Sequence, residues 1–286
     1  MEHFYIITNE PKDPKYEVTD YIRDYLIRCG KRCSVQQRGA EKIGRGYTAE
    51  GVLGQDVDCV LVLGGDGTLL QAAVDLADGT IPFLGINLGT LGFLAEVNKN
   101  DIDSALEKLI KGEYHIEKRM MLVGYSYEPG KQTEKDNTRA LNDIVITRKG
   151  TLQIINFTIS VNGQFLHRYN ADGIIVATPT GSTGYNLSSG GPVVDPKAQL
   201  ILISPICPHS MQHRSIILSP EDEVTIEIAH GHDGIRQEVE AIFDGSHRVT
   251  LYTGDRIVIK RSEKTTGIVK LNKVSFLEAL HGKMSE

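Results

Sequence analysis

One segment in the first quarter of the chain limits its fold more than any other: Val60, Leu61, Val62 and Leu63, then Gly64, Gly65, Asp66, Gly67 and Thr68. Four successive apolar residues, two of them β-branched, suit a strand buried on both faces, as in a parallel sheet. Three glycines around one carboxylate then permit a tight turn and a close backbone approach to a ligand, since no Cβ intervenes. Thr68 followed by Gln71 has the spacing of a capping box and predicts a helix running to about Ala77. The free N–H groups and dipole of such a helix make an anion site at the carboxyl end of the strand. No Gly-x-Gly-x-x-Gly is present and no Gly-Lys-Ser/Thr follows, so an ordinary Rossmann dehydrogenase and a P-loop enzyme both lack support. A carboxylate beside phosphates needs a screening cation, and with no lysine in the turn a divalent metal bound through the ligand is implied. The plainer alternative is that Asp66 only favours the helix start and the glycines only make a turn.

The flanking chain repeats this alternation. Residues 4–8 read as a first strand, and Asp13 with Pro14 predicts a helix start. Val18, Tyr21, Ile22, Tyr25, Leu26 and Cys29 form one apolar stripe that Gly30 ends. A short strand at 33–37 precedes a glycine-rich stretch, 38–55, which reads as a mobile loop and a candidate flap. Residues 82–86 form the next strand, closed by a second glycine turn from Asn87 to Leu94 that is expected beside the first. Asp101 caps an amphipathic helix through Ile110, which Gly112 stops.

From about residue 114 the period changes to two. Segments 121–127, 140–148, 153–161, 164–169, 223–229, 238–243, 248–252 and 256–260 read as strands, with Asn162-Gly163 a hairpin signal. The expected architecture is an α+β two-domain chain. Residues 1–114 form an α/β, Rossmann-like open sheet, residues 115–266 a mainly antiparallel β-sandwich, and residues 267–286 a tail whose helix, 274–280, returns to the first domain.

Inside the β region an apolar strand, 174–177, runs into a segment, 178–192, crowded with Thr, Ser and Gly around Tyr185. Small hydroxyls and open N–H groups suit a ligand with ribose and amide groups, and the Tyr185 ring offers a stacking face. His230 and His232 sit with Gly231 and Gly234 in what reads as a hairpin loop, and His209 and His213 lie close to Pro205 and Pro208, so neither pair is read as a ligand set.

Composition narrows the classes further. Twenty-nine glycines in 286 residues exceed the usual ~7%, and many fall in loops suited to a ligand. With a net charge of −6 and no Lys/Arg block, a nucleic-acid track is not expected. No apolar run approaches the ~18 residues of a membrane span, Glu2 and His3 precede the first strand, and the expectation is a cytoplasmic protein. Cys29, Cys33, Cys59 and Cys207 lack zinc-site spacing and read as reduced thiols, with no protein metal site assigned.

Together, Gly64 to Thr68, the Asn87 to Leu94 turn, Asn142-Asp143, and Asp172-Gly173 leading into Thr178-Pro179-Thr180-Gly181-Ser182-Thr183 resemble the NAD kinase family over nearly the whole chain. The glycine-aspartate turn alone is shared with diacylglycerol-type lipid kinases; the 178–192 segment discriminates. The resemblance implies transfer of the γ-phosphoryl of ATP, or of polyphosphate, to the 2′-hydroxyl of the adenosine ribose of NAD, giving NADP. It implies Asp66 as catalytic base or orienter, with Gly65, Gly67 and Thr68 at the nucleotide. Asn142 and Asp143 would bind ribose; Thr180, Thr183, Gly184 and Tyr185 would surround adenosine. Asp172 and Ser188 would reach the nicotinamide end, often from a neighbouring subunit, and Asp244 would line the site. It also implies Mg²⁺ or another divalent cation carried with ATP, and a homodimer or homotetramer. Gly184 departs from the family's usual Ala. A lipid kinase and a dinucleotide sensor without turnover are the alternatives.

Overall fold

The computed structural model describes residues 1–37, 53, 56–76, 81–89, 92–131, 134, 136–150, 154–209, 214–271 and 276–284. Almost all of the candidate flap, residues 90–91 of the second glycine turn, His213 and the start of the helix expected at 274 lie outside them. The chain divides into two compact units, Met1–Arg119 with Thr265–Glu286, and Met120–Lys264. The boundaries expected near 115 and 266 fall within two continuous strands, His115–Tyr127 and Arg256–Lys270.

The first unit is built on parallel strands in the order β2 (Arg32–Val35), β1 (His3–Thr8), β3 (Cys59–Gly64) and β4 (Phe83–Asn87). Every residue of β1, β3 and β4 is buried, as their unbroken apolar runs require. β5 (Val97–Asn98) adds to β4, and Ile268, near the chain's end, pairs in parallel with Phe83. Ile22 and Leu26 of α1 (Glu17–Arg28) join the core, as do Leu106 and Leu109 of α3 (Ile102–Lys111). Each such side chain contributes about 1.5–3 kcal/mol by leaving water. In the sequence α2 (Asp66–Asp75) falls between these two helices, directly after β3.

Two helix starts differ from expectation. α1 begins at Glu17 rather than Pro14, after Tyr16 in the left-handed region at φ 57°. The main chain of Asn9 accepts the N–H groups of Lys12 and Asp13 at 2.9 and 3.1 Å, which holds 9–13 as a turn. Asp13 still satisfies the helix start, its carboxylate accepting the Thr19 N–H at 3.0 Å and hydroxyl at 2.8 Å. α2 begins at Asp66 with Gly65 as its extended N-cap, so Thr68 lies inside the first turn. Gln71 serves no cap and donates to Asp75 at 2.7 Å.

The second unit stacks two sheets. One is a six-stranded antiparallel sheet in the order β13 (Ile216–Leu218), β12 (Ile201–Ile206), β11 (Gly173–Ala177), β8 (Asp143–Arg148), β15 (Glu238–Phe243) and β16 (His247–Tyr252). The other holds β9 (Ile155–Val161), β10 (Gln164–Ala171), β14 (Val224–Ile228) and the first residues of β17 (Arg256–Lys270). β6 (His115–Tyr127) pairs with β7 (Asp136–Ala140). Ile144, Ile174, Val176 and Phe243 from one sheet meet Phe157, Ile159, Ile226 and Ile257 from the other in a single core. Asn162 and Gly163, at φ 51° and 77°, make the two-residue hairpin between β9 and β10.

The segment 140–148, expected as one strand, is broken: Leu141 and Asn142 form a bend between β7 and β8. The Asp244 carboxylate gathers the N–H groups of Leu141, Asn142 and Asp143 and diverts them from a ladder. β12 carries Pro205 and was not expected as a strand; Pro205 stands opposite Ile174. α5 (Phe276–Met284) replaces the helix expected at 274–280. No described helix is long and apolar enough to cross a membrane.

Candidate active site

In the first unit the site is assembled where β3 hands over to α2. A Cβ on Gly64 would stand 2.3 Å from the Thr68 hydroxyl, so only glycine lets Thr68 fold back over the turn. The Thr68 hydroxyl is tied to the neighbouring loop by the Asn9 side-chain amide, at 2.9 Å. The Asn9 N–H reaches the Leu63 carbonyl at 2.8 Å, and Leu88 N–H reaches the Gly64 carbonyl at 2.9 Å. Three strand ends, those of β1, β3 and β4, are thereby locked together around one cavity. It measures about 440 Å³ and is lined by Asn9, Lys12, Gly65, Asp66, Gly67, Thr68 and Gly92.

Asp66 is half-buried at the start of α2. Its Oδ2 accepts the Phe93 N–H at 2.7 Å, and its Oδ1 accepts those of Leu94 and Ala95 at 3.2 and 3.1 Å. The second glycine turn therefore does lie beside the first, and its amides orient the carboxylate. Gly92 makes room for it, because a Cβ there would fall 1.9 Å from Asp66 Oδ1. Oδ1 already accepts two donors, while Oδ2 keeps capacity for a further one. Gly65, Gly67 and Thr68 surround the same cavity; at the start of α2 the Thr68 N–H turns back to the Gly65 carbonyl at 3.0 Å, which leaves the Asp66 and Gly67 amides without a bond among the described residues.

In the second unit the edge is formed by the start of β8 and the ends of β11 and β15. Ala177 pairs with Asp143 and Phe243 with Ile144, which brings Asn142, Asp143, Thr178 and Asp244 together. Thr178 donates its N–H to the Asn142 carbonyl at 2.8 Å and its hydroxyl to the Leu141 carbonyl at 2.6 Å. A Cβ on Gly181 would lie 2.1 Å from the Asn142 carbonyl oxygen, so the segment can sit on β8 only with glycine there. Beyond it the chain is not an open loop: Thr180–Thr183 is a 3₁₀ turn and Tyr185–Ser188 one helical turn. Buried Asn186 holds that shape, donating to the Ser182 and Pro192 carbonyls at 3.2 and 3.0 Å and accepting from the Ser204 hydroxyl at 2.6 Å. Thr180 is buried, Thr183 and Gly184 are partly open, and Tyr185 is 47% exposed. Asn142 Oδ1 is buried without a partner among the described residues.

Two buried acids give this edge its electrostatics. Asp244, in the left-handed region at φ 46°, turns its carboxylate onto the N–H groups of Leu141, Asn142 and Asp143 at 2.6, 2.8 and 3.0 Å. Burial pushes its pKa up to about 6 against those three donors. Asp143 is pushed up to about 7, by burial first and then by the Asp244 charge. With no such donors, Asp143 is the partner that takes the proton. Asp244 thus acts on the bend through the main chain.

Asp172 is not part of this cluster. It lies at the far end of β11, roughly 20 Å along the strand from Thr178, where Arg148 donates to it at 2.6 Å. Ser188 is exposed at the end of its helical turn. Exposed His230 and His232 lie in the turn after β14. Among the described residues no group of three or more His, Cys, Asp and Glu could hold a metal ion. Asn9, Lys12, Gly92 and Asn186 were not singled out from the sequence; the first two were accessible to the argument, since a parallel sheet puts the end of β1 beside that of β3.

An anion-binding helix start beside a fixed carboxylate, with a second unit rich in hydroxyl and amide chemistry, defines a nucleotide-dependent phosphotransferase. The family models resolve the class further: the ATP-NAD kinase N-terminal domain matches residues 17–114 and the ATP-NAD kinase C-terminal domain residues 141–271. The chain belongs to the NAD kinase family. It is similar to the NAD kinase of Lachnospira eligens, 42% identical over 295 residues that cover 99% of this chain and 100% of that protein. Its fold is that of yeast NADH kinase complexed with NADH, with a TM-score of 0.84 at 26% identity over 100% of this chain and 88% of that one. The NAD kinase of Archaeoglobus fulgidus in complex with ATP shares the fold at TM-score 0.78 and 23% identity, covering 99% and 98%. The lipid-kinase alternative is not favoured.

Proposed function

We propose that the protein transfers the γ-phosphoryl group of ATP to the 2′-hydroxyl of the adenosine ribose of NAD, giving NADP. Kinase activity on NAD follows from membership of the family; the residue roles are our reading. The observation that carries it is Asp66, held by three main-chain N–H groups in a cavity at the first turn of α2. Phosphoryl transfer asks for positioning and charge stabilisation more than covalent chemistry. The open amides of Asp66 and Gly67 would receive the donor's phosphates. Asp66 would orient the ribose hydroxyl and accept its proton, a service typically worth about 10² to 10⁴ in rate. Because its amide clamp is already formed, little rearrangement is needed at the moment of reaction.

The divalent cation belongs to the substrate, travelling with ATP and screening its phosphates from Asp66. Among the described residues Asp66 is the one carboxylate that lines the cavity, and a single carboxylate suits an ion held chiefly by the nucleotide's phosphates. In the second unit Asn142 Oδ1 and Asp143 would take the ribose hydroxyls, the unpartnered oxygen of Asn142 being a ready acceptor. Thr180, Thr183, Gly184 and the open ring of Tyr185 would hold adenosine. The distance of Asp172 from that cluster favours its serving a neighbouring copy, and hence a homodimer or homotetramer. Unpaired thiols suit a cytoplasmic location.

Incubating the purified protein with NAD, ATP and Mg²⁺ should yield NADP. Asp66→Asn should lose turnover while still binding NAD. NAD binding without NADP formation by the parent would instead favour the sensor.

A further inference from the structure

We propose that Lys12 is a binding residue for the donor's terminal phosphates, the cation that the glycine turn itself lacks. The inference rests on the kinase reading and deepens it. Lys12 is exposed and lines the cavity that contains Asp66. A Cβ built on Gly65 would stand 3.0 Å from its Nζ, and one on Gly89 3.3 Å. The ammonium therefore lies over both glycine turns, at positions where side chains would crowd it.

The loop that presents it is fixed. Asn9 anchors that loop to the β3 end and to the Thr68 hydroxyl, and the Lys12 N–H itself bonds the Asn9 carbonyl at 2.9 Å. The acids beside Lys12 in the sequence are engaged elsewhere: Glu10 accepts the Tyr16 hydroxyl, and Asp13 accepts Thr19. Among the described residues no carboxylate pairs with the Lys12 ammonium. A cation held in a polar cavity beside unpartnered helix amides, with no carboxylate in ion-pair contact among the described residues, suits an oligophosphate. In a P-loop that lysine comes from the glycine turn; here it comes from the loop after the neighbouring strand, β1.

The test is steady-state kinetics with Lys12→Met and Lys12→Arg. Lys12→Met should raise KM for ATP by about 10- to 100-fold, the effect of losing one bond to a charged group. KM for NAD should stay put, and Lys12→Arg should recover most of the loss. Calorimetric titration with inorganic triphosphate should show binding to the parent and at least tenfold weaker binding to Lys12→Met. In the unaltered protein, ATP should shield Lys12 from acylation, read by mass spectrometry. A KM for ATP within twofold of the parent, equal weakening of both substrates, or acylation indifferent to ATP would each overturn the proposal. A parent that makes no NADP yet shows Lys12-dependent triphosphate binding would sink the kinase reading and leave this one standing.

Discussion

The orientation of Asp66 can be disturbed without touching the residue itself. In Gly92→Ala the new methyl carbon would lie 1.9 Å from Oδ1, 2.1 Å from Cγ and 2.3 Å from Oδ2 of Asp66. No rotamer adjustment of a few tenths of an ångström relieves that, so the carboxylate must swing into the cavity and give up the Phe93, Leu94 and Ala95 amides. Hydrogen bonds to a charged group contribute about 1.5–3 kcal/mol each, and rehydration in an open cavity returns part of the total. A net cost of about 2–4 kcal/mol for reaching the aligned geometry is a fall of roughly 30- to 1,000-fold in kcat. The assay is NADP formation at saturating ATP and NAD, alongside the same measurement on Asp66→Asn and the double variant. Because both changes remove one function, the double variant should be scarcely worse than the worse single one. A Gly92→Ala enzyme with kcat within about threefold of the parent, or fully additive losses, would refute the idea that the amide clamp sets the carboxylate's position.

Further outcomes concern the second unit. Asp143 is pushed up to about 7, so the fold binds its proton more tightly than the unfolded chain does. That contribution is complete below the ordinary carboxylate range and is lost as pH rises through about 7. Relative to Asp143→Asn, the parent should lose on the order of a few kcal/mol between pH 4 and 8 in urea unfolding; a pH-independent difference would exclude titration at this site. Gly181→Ala meets the Asn142 carbonyl at 2.1 Å and should lower the melting temperature and weaken NAD binding together. Gly184→Ala, at φ −91° with its nearest neighbours at 3.3 Å, should fold normally and bind NAD within a few-fold of the parent, by calorimetry. Tyr185→Ala should raise the Kd for NAD by about 5- to 100-fold if its ring stacks on adenine, with unfolding unchanged; an unaltered Kd would remove the ring from the pose.

What could be read in the sequence was local. The β3 strand, its glycine turn and α2 are separated by no more than a few residues, and their pattern announces both the fold class and Asp66. The Asn162-Gly163 hairpin is equally short-ranged. The features that escaped are long-range bonds. Asp66 meets amides 27 to 29 residues away, and Asp244 meets amides 101 to 103 residues away. No periodicity encodes either. The second of these bonds explains why the apolar run through 140–148 failed to make a single strand. Pro205 discouraged a strand that its neighbours β11 and β13 nonetheless complete. Lys12 carries no local signal of its role, because the loop that holds it follows β1 and meets the glycine turn after β3 only through the sheet.

The first unit is sewn from two distant lengths of chain. Ile268 lies against Phe83, and Val269 and Leu271 fill the interior beside Leu61 and Leu84. The β-sandwich unit is thus a guest in its host's sequence, and on the ribosome the guest emerges whole while the host still waits for its closing stitch. A chain cut after residue 264 would leave that interior unfinished, and its defect would surface as exposed apolar surface along β3 and β4, the strands whose ends hold Asp66 in place.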